Sequence, residues 1–144
     1  MLGAGVAERD EPGRGRFHGA YCTRVLRVYL AGPPFADDYR RRAGQLLREL
    51  GHEPVDPMRR DFRGRTEGNE QEIVEGDLVD IKSCDAVLAD FSEPDEGTAM
   101  EAWYAHGLGV RIVVYTAGKK PHPWTVYVAD AVHAELEDAV RALG

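Results

Sequence analysis

The segment Asp95-Glu96-Gly97-Thr98-Ala99-Met100-Glu101 sets carboxylates either side of a Gly-Thr-Ala turn, directly after an apolar run that reads as a buried strand. Small residues let a ligand approach the backbone there. A carboxylate near a helix start, over a strand end, can act as a nucleophile or hold a hydroxyl. Glu101 also has a plainer explanation. Thr98-Ala99-Met100-Glu101 fits the S/T-x-x-E capping box, in which the glutamate only satisfies a backbone N–H. The company of Asp95 and the position over the sheet's carboxyl edge favour the chemical reading.

Asp77 is the second candidate. On a helix expected over residues 69–83 it lies four residues after Ile73 and four before Ile81, so it shares their apolar face. A carboxylate placed there needs a partner or a polar pocket, because burying it alone costs several kcal/mol. Asp80 is expected in solvent, and Asp90 is expected to hydrogen-bond backbone in the turn after its strand. Arg40, Arg41 and Arg42 read as a solvated helix face. Arg59, Arg60, Arg63 and Arg65 read as solvated loop charge, with contact to a phosphate as the alternative. Phe35, at the first strand-to-helix turn, could stack on a planar ring, whereas Trp103, Tyr104 and Trp124 read as core or subunit-contact residues. The five histidines show no ligand spacing. Cys22 and Cys84 form neither a disulfide framework nor a metal motif, so no metal is expected.

These side chains need a scaffold, and the pattern supplies alternating strands and helices. Residues 1–22 are rich in Gly, Arg and acids, without periodicity, and read as a disordered leader to a domain over 23–144. A strand over 25–30 breaks at Ala31-Gly32-Pro33-Pro34-Phe35, and a helix follows over 37–50, stopped by Gly51. A weak strand over 53–58 leads into a polar loop, 59–68, long enough to be a lid. Then come a helix over 69–83, a strand over 86–91, a helix over 98–106 and a strand over 111–115. Residues 119–134 are ambiguous, a loop and short fifth strand, before a closing helix over 135–143. The alternation predicts an α/β fold, a parallel sheet of about five strands covered on both faces, with ligands beyond the carboxyl ends of the strands.

The net charge of −7 and the pI near 5.2 argue against general nucleic-acid or anionic-membrane binding. No run reaches the roughly 18 apolar residues of a membrane span. The first two dozen residues lack the apolar stretch of a secretory signal, and a cytoplasmic location is expected.

Val28-Tyr29-Leu30-Ala31-Gly32-Pro33-Pro34-Phe35, then Asp77 with Ile81 and Cys84-Asp85-Ala86-Val87, then Asp95 to Glu101, fall in an order and spacing that resembles the nucleoside 2-deoxyribosyltransferase family. The resemblance spans about residues 25 to 116. It implies a flavodoxin-like (Rossmann-like) doubly wound sheet in a single domain, no metal and no organic cofactor. It implies that Glu101 attacks C1′ of a 2′-deoxynucleoside and that a second base displaces the resulting deoxyribosyl ester with overall retention, an exchange belonging to nucleotide salvage. Asp77 would face the nucleobase and handle the leaving-group proton. Asp95 would hold the 5′-hydroxyl, with Gly32, Phe35 and Gly97 shaping the pocket. The implied partners are a nucleoside and a free nucleobase, and the implied assembly is a homo-oligomer, a dimer or trimer of dimers. In the family a neighbouring subunit often supplies an asparagine from a C-terminal segment; here Pro121 to Asp130 contains none.

The nearest alternative is an N-glycosidase hydrolysing (deoxy)nucleoside 5′-monophosphates, a related branch that tends to carry a small hydroxyl residue where Asp95 stands. Asp95 therefore favours a free 5′-hydroxyl. Outside enzymes, a signalling receiver domain would need paired acids after the first strand, where Ala31-Gly32-Pro33 stands. A pure nucleoside-binding protein would share the same pocket.

Overall fold

The computed structural model describes residues 16–18 and 23–144. Strand β1 (Arg16–His18) pairs antiparallel with β2 (Thr23–Val25). Of the leader expected over 1–22, residues 1–15 and 19–22 lie outside the described residues.

Five further strands form one parallel sheet: β3 (Arg27–Ala31), β4 (Glu53–Val55), β5 (Ala86–Asp90), β6 (Arg111–Tyr115) and β7 (Ala131–His133). Their order is β4-β3-β5-β6-β7, the doubly wound order of a flavodoxin-like fold. Helices α1 (Asp37–Glu49), α2 (Glu70–Lys82), α3 (Glu96–Gly107), α4 (Pro123–Val128) and α5 (Leu136–Arg141) cover both faces. That is why β5 is buried at every position and reads as a continuous apolar run.

Successive strand residues point to opposite faces and so build two cores. Val28, Leu30, Leu88 and Val113 pack with Tyr39, Ala43 and Leu47 of α1 and with Ala139 and Val140 of α5. Tyr29, Val87, Ile112 and Val114 pack with Ile81 of α2, Ala102 and Ala105 of α3, and Val128 of α4. Tyr29 thereby faces the two helices that carry the candidate acids.

Local chemistry moves three expected boundaries. β4 stops at Val55 because Asp56 accepts from Met58 N at 2.8 Å and Pro57 opens a 3-10 turn, Pro57–Arg59. α3 begins at Glu96, before Thr98, because Asp95 is its N-cap. The ambiguous 119–134 stretch forms α4 and β7, with His122 capping α4 through Trp124 N. Among the described residues no helix is long and apolar enough to cross a membrane.

Candidate active site

A cleft of about 310 Å³ opens beyond the carboxyl ends of β3, β4 and β5, where the strand order reverses and a doubly wound sheet leaves its ligand crevice. Glu101, Asp77, Asp95, Gly32 and Gly97 all line it. Five of the six site residues expected from sequence therefore meet there.

Glu101 does not make the capping box. With Asp95 as N-cap, Thr98 sits inside the first turn, and Glu101, one turn on, accepts from the Tyr29 hydroxyl at 2.5 Å. Burial and the Glu101 carboxylate push the Tyr29 phenol far above its usual range, so it remains a donor. Burial is also the largest influence on Glu101. Together with the neighbouring Asp77 carboxyl it outweighs the Tyr29 hydrogen bond and lifts Glu101 to about 8. Asp77 is raised too, chiefly by burial, against the pull of Glu101 and Arg60. The two carboxyls thus form a coupled pair that retains a proton near neutral pH.

Asp95 accepts from both N and Oγ1 of Thr98 through Oδ2, at 2.9 and 2.7 Å. Its Oδ1 accepts no hydrogen bond from the described residues. A Cβ on Gly97 would stand 3.4 Å from Asp95 Oδ2, so glycine there keeps the cleft wall low beside the carboxylate. A Cβ on Gly32 would meet Tyr39 Cε2 at 3.1 Å and Asp90 Cβ at 3.3 Å. Its absence lets α1 seat close to the end of β3. Asp90 accepts from Ser92 N at 2.9 Å, the backbone role expected for it.

Phe35 does not reach the cleft. It is 71% exposed and lines a separate depression with Asp38 and Tyr115. The Pro33-Pro34 turn carries it past the sheet edge, and the aromatic ring in the cleft is Phe62, from the loop after β4.

Three arginine and aspartate expectations also change. Arg40 is 4% exposed. It donates to the carbonyls of Pro33 and Gly32 and faces Asp56 at 3.6 Å, so it braces the cleft floor. Asp80 is buried rather than solvated, paired with both terminal nitrogens of Arg59 at 2.9 and 2.8 Å and with Arg60 at 2.8 Å. Arg63 is bound to Asp61 and Asp37, and Arg65 stands over the Phe62 ring. The arginine loop is thus held in place by ion pairs. Tyr29, Arg40 and Phe62 were not singled out from sequence for the site; the shared face of Arg40, Gly44 and Leu47 at helical spacing was the available signal for one of them.

Trp103, Trp124 and Tyr127 gather on the outside of α3 and α4, each at least half exposed, while Tyr104 packs against the core. Burial pushes the Cys84 thiol up to about 11, which removes it as a nucleophile. Cys22 lies outside the described residues. Among the described residues no three His, Cys, Asp or Glu side chains are grouped to hold a metal ion.

The α/β fold thus sets a coupled carboxyl pair at the switch point of its sheet. The nucleoside 2-deoxyribosyltransferase family matches residues 28–140, and the chain belongs to that family. Among solved structures it resembles a 2-deoxyribosyltransferase from the psychrotolerant bacterium Bacillus psychrosaccharolyticus. That match has a TM-score of 0.69 and 24% identity over 79% of this chain and 90% of that one. A CMP N-glycosidase of Clostridium botulinum, BcmB, matches with a TM-score of 0.55 and 20% identity, over 81% and 97% of the two chains. A conserved protein of Enterococcus faecalis V583 matches at 0.62 and 15%, over 83% and 97%. These likenesses establish a shared fold. No curated protein sequence matches the chain.

Proposed function

We propose that this protein exchanges nucleobases between 2′-deoxyribonucleosides through a deoxyribosyl ester of Glu101. The observation that carries the reading is the position of Glu101 in the cleft beside Asp77, held by the buried Tyr29 hydroxyl rather than by its own backbone.

In the first step a Glu101 carboxylate oxygen bonds to C1′ as the C1′–N bond breaks. The electron pair leaves with the base, and the proton that the free enzyme keeps on the Glu101–Asp77 pair passes to it through Asp77, which frees the Glu101 oxygen for C1′. In the second step a nitrogen of the incoming base attacks C1′ and the Glu101 carboxylate departs, so two inversions give retention. In this reading Asp95 Oδ1 accepts a hydrogen bond from the 5′-hydroxyl. The direct test incubates deoxythymidine with hypoxanthine and follows deoxyinosine by chromatography. Exchange by the wild type, absent in Glu101→Ala, supports the reading. Unchanged exchange in Glu101→Ala overturns it, and retained binding without turnover in that variant separates an enzyme from a simple nucleoside-binding protein.

The second reading, hydrolysis of nucleoside 5′-monophosphates, is favoured by Arg63 and Thr66 in the cleft lining. Asp95 opposes it, since like charges about 4 Å apart repel by about 4 kcal/mol at an effective dielectric near 20. Release of base from a deoxynucleotide but not a deoxynucleoside would select it. The homo-oligomer belongs to the same proposal, supported by the exposed aromatic group on α3 and α4; a 16.0 kDa species alone in light scattering would contradict it.

A further inference from the structure

We propose that Arg60, seated in a notch left by Gly76, is a specificity-determining residue that presents an N–H edge to the nucleobase and selects bases bearing a carbonyl oxygen. This rests on the nucleoside reading above and names the substrate class of the same cleft.

Gly76 lies in the middle of α2, where alanine is the better helix former. Its helical backbone does not call for glycine. The space where its Cβ would stand is taken by the end of the Arg60 side chain, with Nε 2.9 Å and Cζ 3.1 Å from that point, so a Cβ there would push the guanidinium aside. The helix therefore gives up local propensity to accommodate a guanidinium. Asp80 alone does not explain the arrangement, since Arg59 already binds both of its oxygens.

Arg60 Nη2 spends its contacts on Asp77 at 3.2 Å and Asp80 at 2.8 Å. Among the described residues Nη1 has no hydrogen-bond partner, and the side chain, 28% exposed, lines the cleft beside Asp77. A guanidinium offers donors only. Next to Asp77, which faces the leaving base in the proposed reaction, it meets a carbonyl oxygen well and an exocyclic amine poorly. When the C1′–N bond breaks, the electron pair moves into the base. In a base with a carbonyl, part of that charge reaches the oxygen, where a charge-assisted hydrogen bond from Nη1 stabilises it. The proton from Asp77 then completes the neutral base. Adenine has no carbonyl, and it leaves the donor facing another donor, the kind of mismatch that discriminates strongly.

The test compares hypoxanthine with adenine, which differ at this feature. In the wild type, kcat/KM for deoxyinosine is expected to exceed that for deoxyadenosine at least tenfold, and calorimetry is expected to show hypoxanthine binding tighter than adenine. Arg60→Met is expected to cut both preferences at least tenfold. Gly76→Ala, which removes no polar group, is expected to do the same by displacing the guanidinium, with circular dichroism confirming the fold. Equal use and equal binding of the two bases by the wild type would overturn the proposal. So would variants that keep the wild-type ratio. Because the binding arm needs no turnover, a protein that binds hypoxanthine selectively through Arg60 but exchanges no base would refute the catalytic reading and leave this one standing.

Discussion

The Tyr29 hydroxyl and Glu101 Oε2 lie 2.5 Å apart, joining the centre of the sheet to the second turn of α3. The bond runs from a side chain with no exposed surface, so the sheet core itself fixes where the carboxylate stands. A hydrogen bond to a charged group contributes about 1.5–3 kcal/mol.

Tyr29→Phe should therefore lower kcat/KM for base exchange about 10- to 100-fold. The hydroxyl pulls the Glu101 ionisation down, and with it the pH at which the pair gives up its shared proton, so its loss should move the alkaline limb of the pH–rate profile, where that proton is lost, upward. A rate loss without that movement would assign Tyr29 to packing alone.

Glu101 also links stability to pH. Its carboxyl sits at about 8 in the folded protein against 4.5 unfolded. Below about 4.5 both states hold the proton; between the two values only the folded state keeps it, so stability falls as pH rises and the loss is complete above about 8. The total is on the order of a few kcal/mol. Urea titrations at pH 5, 7 and 9 should show this decline in the wild type, and Glu101→Gln should flatten it and be the more stable protein at pH 9.

Asp95 serves both helix and cleft, so Asp95→Ala should show two separate defects. Loss of the cap should cost about 0.5–2 kcal/mol in chemical denaturation. Loss of the proposed sugar contact should raise KM for deoxynucleosides. Asp95→Ser, which can still cap through its hydroxyl, should recover most of the stability while weakening discrimination against 5′-monophosphates.

Asp80→Ala leaves two arginines without their shared partner. Arg59 is half exposed, which softens the penalty, and a destabilisation of about 1–3 kcal/mol is expected. Arg60 would then lose one of its two anchors, so a change in base preference should accompany the stability loss.

The layered sheet was legible because strands buried on both faces read as unbroken apolar runs, as in Ala86–Asp90. The acids of the cleft were legible because Asp77 interrupts an apolar stripe and Asp95 and Glu101 flank a turn. What escaped depends on distant partners. Asp80 looks solvated until the 3-10 turn after β4 brings Arg59 to it. Arg40 is hidden in a run of three arginines, of which only it shares a face with Gly44 and Leu47. Strand alternation puts Tyr29 opposite Val28, but which face would carry α3 is settled by the crossovers. Phe35 misled because proximity in sequence to Gly32 says nothing about the direction in which two prolines send the chain.

Both tryptophans of the chain, Trp103 and Trp124, lie on the outer side of α3 and α4 with ring centroids 5.5 Å apart. Intrinsic fluorescence of this protein should consequently be a gauge of that outer surface. Its emission should shift when another macromolecule covers the two indoles, and should register little when a nucleoside enters the crevice.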